Sequence, residues 1–185
     1  MRVLLVWGWL IIAVGLGGLL TLLHEGPLPL PEARPGGLTP TWTMTHALAL
    51  RCPCSRRVVD HLLKRGASPE AVERVLLVDP TPQVEAALTK AGFFVEAVDG
   101  ESLAGRGFVA VPGLVIRAPE GDVAYAGAHA PKRSGPIDDL SLLTAARAGA
   151  QPKPFAVLGC AISQALNERV DPLALKYPSW PGVSR

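Results

Sequence analysis

The stretch Ala47-Leu48-Ala49-Leu50-Arg51-Cys52-Pro53-Cys54-Ser55-Arg56-Arg57 decides how this chain is read. Its first residues close an apolar run, Met44 to Leu50, that has the length and look of a buried strand. Its last residues open a pattern that puts Val58, Val59, Leu62 and Leu63 on one face of a helix. Cys52 and Cys54 therefore fall at a strand-to-helix turn. Backbone N–H groups there lack helical partners, and the helix dipole favours an anion. A thiolate is an anion, and such surroundings lower a cysteine pKa. Cys52 is expected at the N-cap and Pro53 at the first helical position, where proline forfeits no hydrogen bond. Arg56 and Arg57 add positive charge one turn on. The expectation is a thiolate at Cys52, with Cys54 nearer the helix interior and partly covered.

Working outward, the helix should run to about Arg65 and stop at Gly66. Ser68 to Ala71 reads as one short helical turn. Val75 to Val78 is apolar without alternation, the mark of a central parallel strand. Thr81 caps a second helix that has Pro82 at its first position and Val84, Ala87, Leu88 and Ala91 on its face. Phe93 to Val98 is the next strand, and strand-helix-strand-helix-strand is a parallel α/β unit. A Gly-rich loop, Asp99 to Gly107, follows. Phe108 to Val111 leads into Pro112. Leu114 to Ile116 and Val123 to Ala126 form an antiparallel pair across the turn at 119–122. Ile137 to Ala148 is a helix, and Cys160 to about Arg169 is a last short one.

The chain has 185 residues and three cysteines, with a formal net charge of +2. No long Lys/Arg block exists, so charge gives no reason to propose nucleic acid. Three cysteines are too few for a disulfide scaffold, and an odd count leaves one thiol over. Val3 to Leu23 carries no charge and is long enough to span a bilayer as a helix. Arg2 before it places the N-terminus in the cytoplasm and the rest outside. The run is longer than a signal-peptide core, and no small-x-small site follows Leu23. The expected organisation is a transmembrane anchor at 1–23, a Pro-rich stalk at 24–40 holding the domain off the membrane, a folded domain at 41–170 and an irregular tail at 171–185.

The strand, the cysteine pair at the helix start, and the run Pro112 to Gly127 together resemble the thioredoxin-like superfamily. The resemblance covers Thr41 to Gly149. It is closest to membrane-anchored periplasmic redoxins and to an uncharacterised bacterial group with Cys-Pro-Cys. It implies a three-layer α/β sandwich with a mixed central sheet, here preceded by one N-terminal transmembrane helix in a bacterial inner membrane, with the domain in the periplasm. It also implies that Pro112 is a cis-proline facing the redox cysteine. The family motif is Cys-x-x-Cys, whereas here Ser55 stands where the second cysteine would be if Cys52 is the first. By the family's chemistry, Cys52 attacks the disulfide of a partner protein and Cys54 or Cys160 resolves the mixed disulfide. At helical spacing Cys52 and Cys54 point about 200° apart, which makes a bond between them hard to close. Cys160 is equally well read as a resolving thiol or as a small buried hydrophobe.

Two other functions stay open. Cys52 and Cys54 with His129 form a candidate set for copper(I), as in copper-delivery proteins that resemble the same fold with wider cysteine spacing. A lone loop histidine such as His129 is more often a solvated side chain. His46, in a strand, reads as structural, and Asp79, at the end of one, as a turn cap. A non-catalytic partner-binding module is the third reading. An exposed Cys52 of low pKa beside Pro112 is what redox work needs.

Overall fold

The computed structural model describes residues 2–171, and within the first helix the side chains of 6–19. Helix α1, Arg2–Glu25, is followed by β1, Thr43–Ala49, and α2, Pro53–Arg65. Next come β2, Val72–Val78, α3, Pro82–Lys90, and β3, Phe94–Val98. Then follow α4, Gly100–Gly105, β4, Ala110–Val111, β5, Gly113–Arg117, and β6, Val123–Gly127. The last elements are α5, Asp139–Arg147, β7, Cys160–Ala161, and α6, Gln164–Val170.

Local chemistry sets the boundaries. Pro53 opens α2, and Gly66 ends it at φ 70°. The Thr81 hydroxyl accepts from the Val84 N–H at the start of α3. The loop expected at 99–107 is instead α4, because the Asp99 carboxylate accepts from the Ser102 N–H and caps it. The helical turn expected at Ser68 to Ala71 is a plain turn.

The five main strands lie in the order β3-β2-β1-β5-β6. β1–β2 and β2–β3 are parallel, while β1–β5 and β5–β6 are antiparallel. The mixed sheet matches the sequence reading. Alternation along β1 sends Met44, His46 and Leu48 to one face and Ala47 and Ala49 to the other. On the first face, Leu48, Val75 and Leu77 pack against Val58, Val59 and Leu62 of α2 and Leu88 of α3, while Met44 packs on Leu142 and Leu143 of α5. On the second face, Ala47, Ala49, Leu76 and Val78 pack on Leu103 of α4, Phe108, Val111 and Ile162. Burying these apolar faces drives the assembly, at about 25 cal/mol per Å².

Three expectations are corrected. Helix α1 forms, but no helix among the described residues is long and apolar enough to cross a membrane. The expected transmembrane anchor over 3–23 is corrected on that finding. Secondly, the segment read as a stalk is strapped along the domain. Leu28 is buried and bridges Val157. The Glu32 N–H donates to Gly107 O at 2.8 Å, and that of Gly36 donates to Gly121 O at 2.9 Å. The strap lies so close that a Cβ on Gly107 would sit 2.2 Å from Glu32 O. Proline blocks regular ladders but leaves these single amides free to bond. Thirdly, Cys160 opens no helix. It lies on β7 opposite Val111 of β4, and the helix starts only at Gln164, capped by Ser163. The tail beyond residue 171 lies outside the described residues.

Candidate active site

The three thiols and Pro112 converge at the carboxyl end of β1, and a buried polar chain leads back from the cleft to Glu73, opposite Met44 near its amino end. Cys52 is the N-cap of α2, with extended backbone at φ −83° and ψ 118°. It is fully buried among Ala49, Val78, Val111 and Ile162. Its Sγ lies 3.9 Å from Val111 O, and the Val111–Pro112 peptide bond is cis, as the resemblance implied. The β4–β7 pairing carries Cys160 to the same place. The Cys52 thiol thereby lies near enough to Cys160 and Cys54 for both to act on its ionisation. Cys52 and Cys54 meet because Cys52 is not yet helical, so the 200° separation expected of two helical positions does not apply.

This geometry overturns the expectation of an exposed, acidic Cys52. Contact with the Cys160 thiol pushes the Cys52 pKa up; the Cys54 hydrogen bond pulls the other way, and burial adds to the rise. The Ser55 amide favours the anion but does not outweigh these effects. Cys54 is also pushed up, first by its hydrogen bond with Cys52 and then by burial, against the charges of Arg133 and Arg57. Physically, once one of these sulfurs has ionised its neighbours resist a second charge. Cys54 and Cys160 are both partly exposed, and Cys54 opens onto the surface. It lines a cleft with room for about 30 Å³, together with Pro112, His129, Arg57 and Arg133. The Arg57 guanidinium pins the loop beyond the cleft by donating to Arg133 O and Gly135 O.

The sheet junction is tight at Gly159. A Cβ there would lie 1.8 Å from Val111 O and 2.8 Å from Pro112 Cδ. A Gly159→Ala chain should therefore lose about 1–3 kcal/mol by overpacking, read by urea denaturation, and Cys160 should alkylate at an altered rate. Stability and reactivity equal to the parent chain would show that the junction can yield.

Beneath the cleft lies a feature that the sequence reading missed. His46, Glu73 and His129 are all buried, at 0, 2 and 1 % exposure. His46 Nδ1 lies 2.9 Å from His129 Nε2, and His46 Nε2 lies 2.9 Å from Glu73 Oε2. Arg65 donates to both Glu73 oxygens at 2.9 and 2.6 Å and to Asp139 Oδ2 at 2.8 Å. His61 Nε2 lies 3.0 Å from Asp139 Oδ1 and reaches solvent. Burial pushes the Glu73 carboxyl up, but hydrogen bonds from His46 and Arg65 outweigh it and hold it down at about 2. Asp139 likewise overcomes burial, through the Arg65 charge, and sits at about 2. Burial first, then His46, pushes His129 down to about 3. The available signal was parity: His46 shares a strand face with Met44 and Leu48, and Glu73 with Val75 and Leu77. A polar residue on a core face needs a partner.

The other candidates fall into place. His129 is not the solvated loop residue expected. Among the described residues, no group of three or more His, Cys, Asp or Glu is arranged to hold a metal. His129 shares the cleft lining with Cys54, while Cys52 does not join them there. Asp79 sits at φ 53° and pairs with Arg51 at 3.4 Å, consistent with a turn residue.

No family model and no curated protein matches the sequence. Solved structures do match. A hypothetical protein from Sinorhizobium meliloti 1021 superposes with a TM-score of 0.54 at 15% identity, over 75% of this chain and 96% of that one. An uncharacterized conserved protein from Geobacillus kaustophilus gives 0.49 at 15% identity, over 75% and 94%. A thioredoxin-like protein from Aeropyrum pernix gives 0.41 at 14% identity, over 72% and 97%. The fold shared with the Sinorhizobium protein is a mixed α/β sandwich, here with the cysteine pair at the first helix after β1.

Proposed function

We propose that the protein is a thiol–disulfide oxidoreductase in which Cys54 meets the partner and Cys52 resolves. The observation that carries this reading is the placing of buried Cys52 at Val111, which pairs with Cys160, next to a Cys54 that lines the cleft with cis Pro112. The Cys54 thiolate attacks one sulfur of a partner disulfide. A mixed disulfide forms, and the first partner thiolate leaves and takes up a proton. The Cys52 thiolate then attacks the Cys54 sulfur. The Cys52–Cys54 bond forms and the second partner thiolate departs, so the partner is reduced and the pair oxidised. Cys160, near Cys52, can take the bond over by attacking the Cys52 sulfur. The attacking role read for Cys52 from sequence thus passes to Cys54, because a fully buried sulfur cannot reach a partner.

The test is an insulin-reduction assay of the full chain with a chemical reductant, with each cysteine changed to serine in turn. Cys54→Ser and Cys52→Ser should each lose at least tenfold in rate. Cys160→Ser should change which disulfide mass spectrometry finds after oxidation. A Cys54→Ser chain working at the parent rate would sink this assignment.

A further inference from the structure

His129, which lines the cleft, has a buried Nδ1 with no hydrogen-bond partner. Its chemical character is set from the far end of the chain of contacts. Glu73 is ionised and held by Arg65 and the Ser68 N–H, so His46 Nε2 carries a proton and donates to Oε2. With His46 neutral, its Nδ1 is an acceptor, and His129 Nε2–H donates to it. That leaves a lone pair on His129 Nδ1, on a residue lining the same small cleft as the Cys54 thiol. The cleft can hold a bridging water. If instead His46 is doubly protonated, its Nδ1–H donates to His129, and His129 Nδ1 becomes a donor. One proton on His46 therefore switches the cleft atom from acceptor to donor.

We propose that His129 relays the proton of the Cys54 thiol to His46. The S–H bond breaks and an Nδ1–H bond forms on His129, while its Nε2 proton moves to His46 Nδ1. The result is a thiolate in the cleft, a neutral His129 donating back to it, and a His46 imidazolium against the Glu73 carboxylate. No electrons change hands. When a partner thiolate leaves, the proton returns to it by the same atoms. Two carboxylates, Glu73 and Asp139, face one guanidinium, Arg65, so the cluster holds an unmatched negative charge that accommodates the extra proton. His129 itself never carries charge, in keeping with its complete burial. Facing it are His46 on β1, Asp139 on α5, and Arg65 and His61 on α2. Across the cleft stand Cys54, Arg57 and the loop cations Lys132 and Arg133.

The inference rests on Cys54 as the outer thiol, but its test follows protons rather than disulfides. In the reduced full chain with ¹⁵N-labelled histidine at neutral pH, two-bond ¹H–¹⁵N spectra should show His129 Nδ1 protonated, and a Cys54→Ser chain, which has no thiol proton to pass on, should show it unprotonated. A His129 tautomer that is the same in both chains would overturn the relay. Separately, the pH midpoint of Cys54 alkylation, read by mass spectrometry, should rise by at least one unit in both His129→Phe and Glu73→Gln. A rise with the first alone would make His129 a local acceptor and refute the relay, as would no rise in either. If Glu73→Gln fails to fold, the histidine spectra of the parent and Cys54→Ser chains still decide. Absent insulin turnover alongside an intact tautomer switch would instead remove the exchange function and leave the proton path standing.

Discussion

A Glu73→Ala chain is expected to lose roughly 3 kcal/mol or more of folding stability, the scale of breaking a buried ion pair. The carboxylate is fully buried and takes four hydrogen bonds, two from Arg65 and one each from His46 Nε2 and the Ser68 N–H. Truncation leaves the His46 and Ser68 donors without a partner and takes one of its two carboxylates from Arg65, whose side chain is only 11% exposed. Each buried group left unsatisfied costs about 1–3 kcal/mol. Asp139 still holds Arg65, which keeps the loss short of that for a fully orphaned charge. Urea denaturation of the two chains measures it. Glu73→Gln, which keeps the volume and one acceptor oxygen, should lose less than half as much. A Glu73→Ala chain within 1 kcal/mol of the parent would show that water enters and replaces the carboxylate.

Acidification should unfold the protein through the same cluster, in a defined order. His129 sits at about 3 when folded, against 6.5 as its ordinary value. Between these limits the unfolded chain binds a proton that the folded chain does not, so stability falls as pH drops. The slope is about 1.4 kcal/mol per pH unit for one such group, or roughly 3 kcal/mol between pH 6.5 and 4. Glu73 joins below its ordinary 4.5 and Asp139 below its ordinary 3.8, and both contributions are spent near pH 2. These carboxyls are depressed on folding, so their stabilisation is present above the ordinary values and lost on acidification. Urea midpoints at pH 7, 5.5 and 4 would trace the decline. His129→Phe should flatten it between pH 6.5 and about 4.5. A parent chain equally stable at pH 7 and pH 4 would contradict the burial of a neutral histidine.

The two predictions share a structural origin. The cluster ties β1, β2, α2, α5 and the loop after β6 into one body, directly under the thiol cleft. Its stability and the chemistry of Cys54 are therefore linked. A lesion at Glu73 should be felt at the sulfur through His46 and His129, with no contact between Glu73 and the cleft lining.

What the sequence by itself determined is much of what short-range chemistry controls, the Asp99 cap of α4 excepted. Proline at the head of α2 and glycine at its end, the threonine cap of α3, and alternation along β1 all follow from residues a few positions apart. The same local logic placed two cysteines at a strand-to-helix turn, and the run from Pro112 carried the resemblance that located the cis bond. Only the tertiary structure decided which sulfur faces solvent. Cys52 turned inward because β4, β7 and Ile162 close over it, and no local pattern foretells that lid of distant residues. The buried chain was likewise beyond reach, since His46 meets Glu73 across 27 positions and His129 across 83. Strand register brings those partners together, and register is a property of the assembled sheet.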